Sequence, residues 1–339
     1  MIHYKDDGNN FPNLCRDTLK YIELKGKSID SLDTDGLLLL NGESVRDDFH
    51  EGTWLTNTLK NIHSNVIILV DDAGFGFGES SQYQHNGSEI YILTPELKRQ
   101  PTFGNRQRNT LYNWLLMHMT EINNVDNNID IFRNHKYFLR QKHFLSYNRE
   151  TKKQREFLYN FIKVRDDLMD KFYYSYTKHE DKIYLDGIES WGRNSVYEPP
   201  KINLSLSLQS YINVVTTPRE DDHGNIFFDE KIWKPILSLQ PFMLFGCSGQ
   251  LKKLKEFGFE TFSHFINEEY DEETNDKRRY TLLCKEIERL SNLSLEELHN
   301  FVYSEKTMNI LEHNFEQAMD INNRQKENLK NLIEELTNG

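Results

Sequence analysis

Cysteine is scarce and poorly placed to stabilise a fold. The three cysteines, Cys15, Cys247 and Cys284, lie far apart in the chain, and no CxxC pair occurs. A disulfide framework and a structural zinc site are therefore excluded as organising principles. The twelve histidines form no HExxH or HxH pattern, so the sequence carries no common zinc-enzyme signature.

Long apolar runs are also missing. The longest, five residues at 66–70, is far shorter than the roughly 18–20 apolar residues of a membrane span, and the four leucines within 36–41 are shorter still. The first residues, MIHYKDDGNN, do not read as a secretory signal. We therefore expect a protein without a membrane span that works in the cytoplasm.

Positive charge is outnumbered by negative charge. The chain has 41 Lys and Arg against 53 Asp and Glu, a formal net charge of −12. Broad binding of phosphate backbones needs clustered Lys and Arg, so the charge argues against it but permits a local basic cleft. Hydrophobic residues make up 37% of the chain, which is enough for a core and excludes wholesale disorder.

Apolar strands alternate with amphipathic helices along the chain. Strands are predicted at 36–40, 65–70 and 89–93 in the first half, and at 210–217 and 241–246 in the second. This alternation predicts an α/β fold with parallel sheets.

The 339 residues suit two domains. A charged break near residue 150 separates the two halves, so we predict an N-terminal domain at 1–143 and a C-terminal domain at 144–304. The apolar stripe of the last helix, within 305–339, predicts that this helix packs back on the N-terminal domain. The acidic stretch 266–276 is expected to be a solvated loop.

The segment 210–262 carries the most chemistry. A strand and a polar loop are followed by Glu230 and Lys231 in the first turn of a helix. A carboxylate there can accept hydrogen bonds from ribose hydroxyls, and a lysine beside free N–H groups can hold a phosphate. The next connection places Ser248 at a second helix N-terminus. The alternative is that Glu230 only complements the helix dipole and Lys231 is solvated.

Three strings in this segment resemble a known enzyme group. They are F-x-E-K-x-x-K-P-I, Q-P-F-x-x-x-G and L-x-x-L-K-x-x-G-F-x-T-F, beginning at Phe228, Gln240 and Leu251. They resemble the donor half of nucleotide-sugar glycosyltransferases common in phages and large viruses. They are more distantly similar to the α1,3-fucosyltransferase family. The segment FLSYNR, 144–149, is similar to the opening of the same donor domain.

The resemblance implies a GT-B architecture, in which two Rossmann-like domains face each other across a central cleft. It implies that the C-terminal domain binds the donor, with Glu230 on the ribose and Lys231 on the diphosphate. Arg149 or Arg155 would also hold the diphosphate, because a planar guanidinium can bridge two phosphate oxygens. The predicted donor site is completed by Lys234, Asn213 and Ser248.

Two positions depart from the family pattern. Thr217 stands where the family often has a glutamate, so that carboxylate is either missing or replaced by Glu220. Gln154-Arg155 stands where the family has His-Arg. The first departure keeps an alternative open. The protein would then be a catalytically degenerate GT-B-like protein that binds a nucleotide or another partner.

Acidic residues follow two predicted strands of the N-terminal half. Asp72 and Glu79 follow the strand at 65–70, and Glu43 follows the leucine-rich strand. One of these carboxylates is the predicted catalytic base that an inverting transfer needs. The alternative is that the acidic residues only end their strands and the glycines nearby form a loop.

The sequence as a whole predicts a metal-independent glycosyltransferase. It would move a sugar from a nucleoside-diphosphate sugar to an acceptor hydroxyl, and the donor is a substrate, so no separate cofactor is expected. The acceptor is a modified base of phage DNA, a surface glycan or a protein. A viral member would act in the host cytoplasm. Asp33-Thr-Asp35 and Asp221-Asp222 are expected to be turns, so no metal site is predicted.

Overall fold

A computed structural model describes most of the C-terminal half and shorter pieces of the N-terminal half. The described residues are 1–5, 14–29, 36–41, 66–69, 90–93, 125, 127–148, 151–176, 204–217, 226, 228 and 230–338. The chain divides into two compact units. Unit 1 is Met1–Met119 with Ile321–Gly339, and unit 2 is Thr120–Asp320.

The described residues form strands and helices in alternation. The strands are β1 (Ile2–Lys5), β2 (Lys27–Ser28), β3 (Leu37–Asn41), β4 (Val66–Leu69), β5 (Ile90–Leu93), β6 (Lys142–Asn148), β7 (Phe172–Tyr176), β8 (Ser210–Thr216) and β9 (Phe242–Phe245). The helices are α1 (Leu14–Tyr21), α2 (Asn128–Asn134), α3 (Lys153–Lys163), α4 (Asp166–Met169), α5 (Leu204–Leu208), α6 (Glu230–Leu237), α7 (Gln250–Glu256), α8 (Asp276–Ser291), α9 (Leu295–Val302) and α10 (Glu305–Asn338). None of these helices combines the length and the apolar composition needed to cross a membrane.

Unit 1 contains a parallel sheet with the strand order β2-β1-β3-β4-β5. All four leucines of β3 are buried. An unbroken apolar run suits this strand because both faces of a parallel sheet are normally covered. Leu37 and Leu39 pack with α1 and with the C-terminal part of α10, which contributes Leu329, Leu332 and Ile333.

Unit 2 contains a second parallel sheet, with the order β7-β6-β8-β9. Helices pack on both of its faces. On one face the ring of Tyr159 in α3 contacts the rings of Tyr174 and Tyr176 in β7. On the other face Lys234 of α6 lies over the ring of Tyr147 in β6. Side chains alternate between faces along a strand, so each face of this sheet has its own helix cover.

The predicted α/β class with parallel sheets is confirmed. β3, β4, β5, β8 and β9 lie where the apolar runs placed them. If the strands of each sheet are numbered in chain order from its own first strand, both sheets contain the order 2-1-3-4. This is one of the two common doubly wound orders. The architecture is therefore compatible with two Rossmann-like domains.

Unit 2 starts earlier in the chain than the charged break suggested, because it includes α2. The side-chain amide of Asn128 donates a 2.7 Å hydrogen bond to the carbonyl of Leu237. The guanidinium of Arg133 donates two hydrogen bonds, of 2.7 and 2.6 Å, to the carboxylate of Glu312. These partners are 109 and 179 residues away in the sequence, so no local pattern signals them.

The last helix, α10, belongs to both units. Its residues up to Asp320 are part of unit 2, where the Asn314 amide donates to the carbonyl of Glu260 and accepts from its N–H. Its residues from Ile321 onward belong to unit 1, where the ammonium of Lys326 donates to the carboxylate of Glu23. A single helix therefore supplies core side chains to each unit.

Candidate functional site

The strand order of unit 2 reverses between β6 and β8. The chain leaves β6 toward β7 on one side and leaves β8 toward β9 on the other. Open parallel sheets bind ligands beyond the carboxyl ends of their strands at such a reversal. The candidate site therefore lies at the ends of β6 and β8, marked by Asn148 and Thr216.

A buried hydrogen-bond network joins these two strand ends. The Thr216 hydroxyl donates to the side-chain oxygen of Asn148, whose amide group donates to the Ser146 hydroxyl at 3.0 Å. The Ser146 hydroxyl donates in turn to the carbonyl of Val214 at 2.7 Å. All three side chains are almost fully buried. Buried polar groups that satisfy one another hold their strands in one arrangement, so the network forms a rigid base for the site.

The first turn of α3 reaches across to the end of β8. The side-chain amide of Gln154 donates to the carbonyl of Thr217, and Nε of Arg155 donates to the Thr216 hydroxyl at 3.3 Å. Gln154 is completely buried and Arg155 is 3% exposed. These two residues stand where the glycosyltransferase pattern has His-Arg. Arg155 therefore lies at the strand-order reversal.

The backbone at the end of β9 has no room for a side chain. A Cβ on Gly246 would lie 2.0 Å from the hydroxyl oxygen of Thr217 and 2.5 Å from the side-chain oxygen of Gln250. This crowding explains the glycine that ends the Q-P-F-x-x-x-G string. Thr217 is 1% exposed and fills the space beside that backbone.

Helix α6 begins at Glu230, so the predicted first-turn positions of Glu230 and Lys231 agree with the structure. The helix buries Ile232, Trp233, Ile236 and Leu237, and Lys231 and Lys234 are each only partly buried. The ammonium of Lys234 lies 4.7 Å from the centroid of the Tyr147 ring. The side chain of Glu230 lies outside what the structure describes.

Helix α7, which follows Ser248, already has an anion at its N-terminus. The carboxylate of Asp271 accepts hydrogen bonds from the N–H groups of Leu251, at 2.9 Å, and Lys252, at 3.0 Å. Gly249 is the N-cap, with φ of 76°, and has no side chain to cap the helix. The N–H groups that Ser248 was expected to share with a ligand therefore bind the protein's own carboxylate.

The acidic stretch around Asp271 is a correction to the sequence analysis. We expected residues 266–276 to be a solvated loop, but Ile266, Tyr270 and Asp271 are buried. Burial raises the pKa of Asp271, although the hydrogen bonds from Leu251 and Lys252 oppose this effect. The sequence shows that this stretch is rich in acidic residues. It does not show that Asp271 would be buried and would bind the N-terminus of α7, 20 residues earlier.

Asn213 lies apart from the other predicted donor-site residues. It occupies the middle of β8, where it pairs with Leu145 and Phe242. Its amide donates to the side-chain oxygen of Gln240 at 3.1 Å, and the Gln240 amide donates to Ser210 at 2.9 Å. These bonds assign Asn213 to the interior of the sheet rather than to its carboxyl edge.

Arg279 is a buried residue of this region that the sequence analysis missed. Its Nε donates to the carbonyl of Gly246 at 2.7 Å, and its other nitrogens donate to the carbonyl of Glu273 and to Asp276. It therefore fixes the end of β9 from α8. An arginine in the first turn of an amphipathic helix gives no sequence signal of such a role.

Several predicted residues lie outside what the structure describes. They are Glu43, Asp72, Glu79, Arg149 and Glu220, together with the acidic pairs Asp33/Asp35 and Asp221/Asp222. Within the described ranges, no three His, Cys, Asp or Glu side chains come together as a metal site.

No protein-family model, curated protein or solved structure matches the chain. The assignment of the site therefore depends on its own geometry.

Proposed function

We propose that the protein is a glycosyltransferase of the GT-B type that binds a nucleoside-diphosphate sugar at the carboxyl edge of the unit 2 sheet. The observation that carries this proposal is the hydrogen bonding of Gln154 and Arg155 to the end of β8. It brings a guanidinium to the reversal between β6 and β8. Lys231 lies in the first turn of α6, the helix that follows β8 in the chain.

The proposed roles follow from charge and from hydrogen-bonding chemistry. Arg155 and Lys231 bind the diphosphate, with Arg149 as a further cation, and Glu230 accepts hydrogen bonds from the ribose hydroxyls. As the bond to the sugar breaks, negative charge grows on the leaving diphosphate. Positive groups fixed in advance stabilise that charge, so they accelerate the reaction without a metal ion.

Unit 1 would supply the acceptor side and the catalytic base. The ends of β3 and β4 lie next to each other in the sheet, with Asn41 opposite Leu69. Glu43 and Asp72 follow these strand ends closely in the sequence, and Glu79 follows further on. We propose that one of these carboxylates removes the proton of the acceptor hydroxyl. The acceptor is a glycan, a protein or a modified base of phage DNA.

The donor site is tested by calorimetry with a panel of nucleoside diphosphates. We expect one of them to bind the wild-type protein, and Lys231→Met to weaken that binding about tenfold. Lys163→Met is the matched control. Lys163 lies over the Tyr159 ring in the last turn of α3, at the opposite end of that helix from Arg155. Lack of binding by every nucleoside diphosphate would refute the proposal.

A catalytically degenerate nucleotide-binding protein is the second candidate, and Thr217 is the observation that favours it. Thr217 is buried, and it stands where the glycosyltransferase pattern often has a glutamate. Nucleotide binding alone fits both candidates, so the deciding measurement is turnover. Release of sugar from the bound donor, to water or to an acceptor, supports the enzyme, whereas tight binding without release supports the degenerate protein.

A further inference from the structure

Tyr147 is the next-to-last residue of β6, beside the candidate site. It directly precedes Asn148, so its side chain lies on the opposite face of the sheet from the Asn148–Thr216 network. This is the face that α6 covers, because Lys234 lies over the Tyr147 ring. Tyr147 and Lys234 therefore meet where the end of β6 approaches the helix that follows β8.

The hydroxyl group of Tyr147 is buried and has no hydrogen-bond partner among the residues that the structure describes. The ring as a whole is only partly buried. Burial also raises the pKa of Tyr147, so the hydroxyl keeps its proton at neutral pH and remains a donor. Buried donors are nearly always paired in folded proteins, and one without an acceptor calls for an explanation such as a ligand.

The lysine above the ring decides which kind of acceptor suits this hydroxyl. An ammonium 4.7 Å from a ring centroid is attracted by the negative face of the ring. Tyr174 also has a buried hydroxyl without a described partner, but it is packed among the rings of Tyr159, Phe172 and Tyr176. Tyr147 instead combines a hydrogen-bond donor with an adjacent positive charge, and this combination favours an anion.

We propose that the Tyr147 hydroxyl and the Lys234 ammonium together bind the diphosphate of the donor, with the Tyr147 ring holding Lys234 in place. This inference rests on the proposed function and adds Tyr147 as a phosphate-binding residue. Tyr147 binds from the face that α6 covers, whereas Arg155 binds from the α3 side of the strand-order reversal. The two groups therefore hold the diphosphate from opposite faces of the sheet.

The test compares Tyr147→Phe with the wild-type protein in calorimetric titrations with the nucleoside, its monophosphate and its diphosphate. The ring and its contact with Lys234 remain in this variant, and only the hydroxyl is lost. Since a hydrogen bond to a charged group is removed, diphosphate affinity should fall about tenfold while nucleoside affinity stays constant. The melting temperature without ligand should not fall, because the lost hydroxyl has no hydrogen-bond partner within the described part of the chain.

Tyr173→Phe is the matched control. Lys142 lies over the Tyr173 ring at 5.9 Å, but the Tyr173 hydroxyl already bonds to Gln141 and Gln209. This control should leave diphosphate affinity unchanged. A second variant, Lys234→Met, should weaken diphosphate binding, and its effect should not add fully to that of Tyr147→Phe, because the two groups act together.

The outcomes separate this inference from the proposed function. If Tyr147→Phe binds the diphosphate as tightly as the wild-type protein does, the inference is wrong and the donor site stands. If the wild-type protein binds neither a nucleoside diphosphate nor inorganic pyrophosphate, both are wrong. If nucleoside and diphosphate affinities fall equally, Tyr147 shapes the site without binding phosphate, and the inference is again overturned.

Discussion

The side-chain amide of Gln154 donates a hydrogen bond to the backbone carbonyl of Thr217, which joins the first turn of α3 to the residue after β8. The two residues are 63 positions apart in the sequence. Both are buried, and the bond lies beside Arg155. A contact of this kind holds two elements of the candidate site in register, so we expect it to couple the stability of unit 2 to the proposed nucleotide binding.

We predict that Gln154→Met lowers both stability and nucleotide affinity. The Thr217 carbonyl would lose its side-chain donor, which costs about 1–3 kcal/mol of unfolding free energy. Urea denaturation and calorimetry measure the two effects. Gln317→Met is the comparison, because the Gln317 amide also donates to a backbone carbonyl, that of Phe257. The Gln317 variant should lose stability but not affinity, and a similar loss of affinity in both variants would contradict a local role of Gln154.

Gly246→Ala should destabilise unit 2, because the added Cβ would lie 2.0 Å from the hydroxyl oxygen of Thr217. Overpacking of this kind typically costs about 1–3 kcal/mol. Replacing Thr217 by alanine in the same chain removes that oxygen and should recover part of the loss, although Gln250 still crowds the position. Urea denaturation of the two single variants and the double variant gives the coupling energy. If the changes in unfolding free energy of the two single variants simply add in the double variant, the side chains at positions 246 and 217 are not in contact.

Stability should fall in mild acid because the folded protein disfavours the charged form of three histidines, of which His143 is buried. Burial lowers the pKa of His143 from its usual 6.5, and burial also lowers the pKa values of His135 and His264. The unfolded chain therefore takes up protons at a higher pH than the folded protein. The stability contributed by these groups is present above about pH 6.5 and is lost as the pH falls from that value toward the lowered folded-state pKa values.

The melting temperature at about pH 7.5 and about pH 5.5 measures this effect. His143→Gln should narrow the difference between the two temperatures, because a glutamine has no proton to take up in this range. The exposed His313, which bonds to the carbonyl of Gly258, provides the control His313→Gln. An unchanged pH dependence in the His143 variant would assign the acid sensitivity to other groups.

The parts of the fold that depend on local pattern could be predicted from the sequence. The leucines of β3 and the apolar runs of β8 and β9 identified strands. The local pattern Ser294-Leu-Glu-Glu297, which is typical of a helix start, forms a capping box at the N-terminus of α9. The alternation of strands and helices was enough to predict parallel sheets, because parallel strands need crossover connections between them.

The parts that depend on distant partners could not be predicted. Asp271 caps α7 from 20 residues away, and Arg279 reaches the carbonyl of Gly246 across 33 residues. A carboxylate in an acidic stretch and an arginine on a helix look like solvated charges until the fold brings their partners close. Motif positions indicated Gln154, Arg155 and Lys231. The hydrogen bond from Gln154 to the Thr217 carbonyl and the contact of Tyr147 with Lys234 emerged only from the structure.

The final prediction concerns catalysis by Lys231. If Lys231 stabilises charge that grows on the leaving diphosphate, its removal should affect turnover more than binding of the donor, because that charge is larger in the transition state than in the ground state. We expect Lys231→Met to slow sugar release about 10²-fold, in the range found for other preorganised charge-stabilising groups. The loss of donor affinity should be smaller.

Initial rates and donor affinity, measured on the same Lys231→Met preparation, give the two numbers. Lys163→Met should change neither, since Lys163 lies over the Tyr159 ring in the last turn of α3. A variant in which turnover falls only as far as affinity does would show that Lys231 binds the ground state and transition state equally. In that case Arg155 and Arg149 would have to provide the stabilisation of the leaving group.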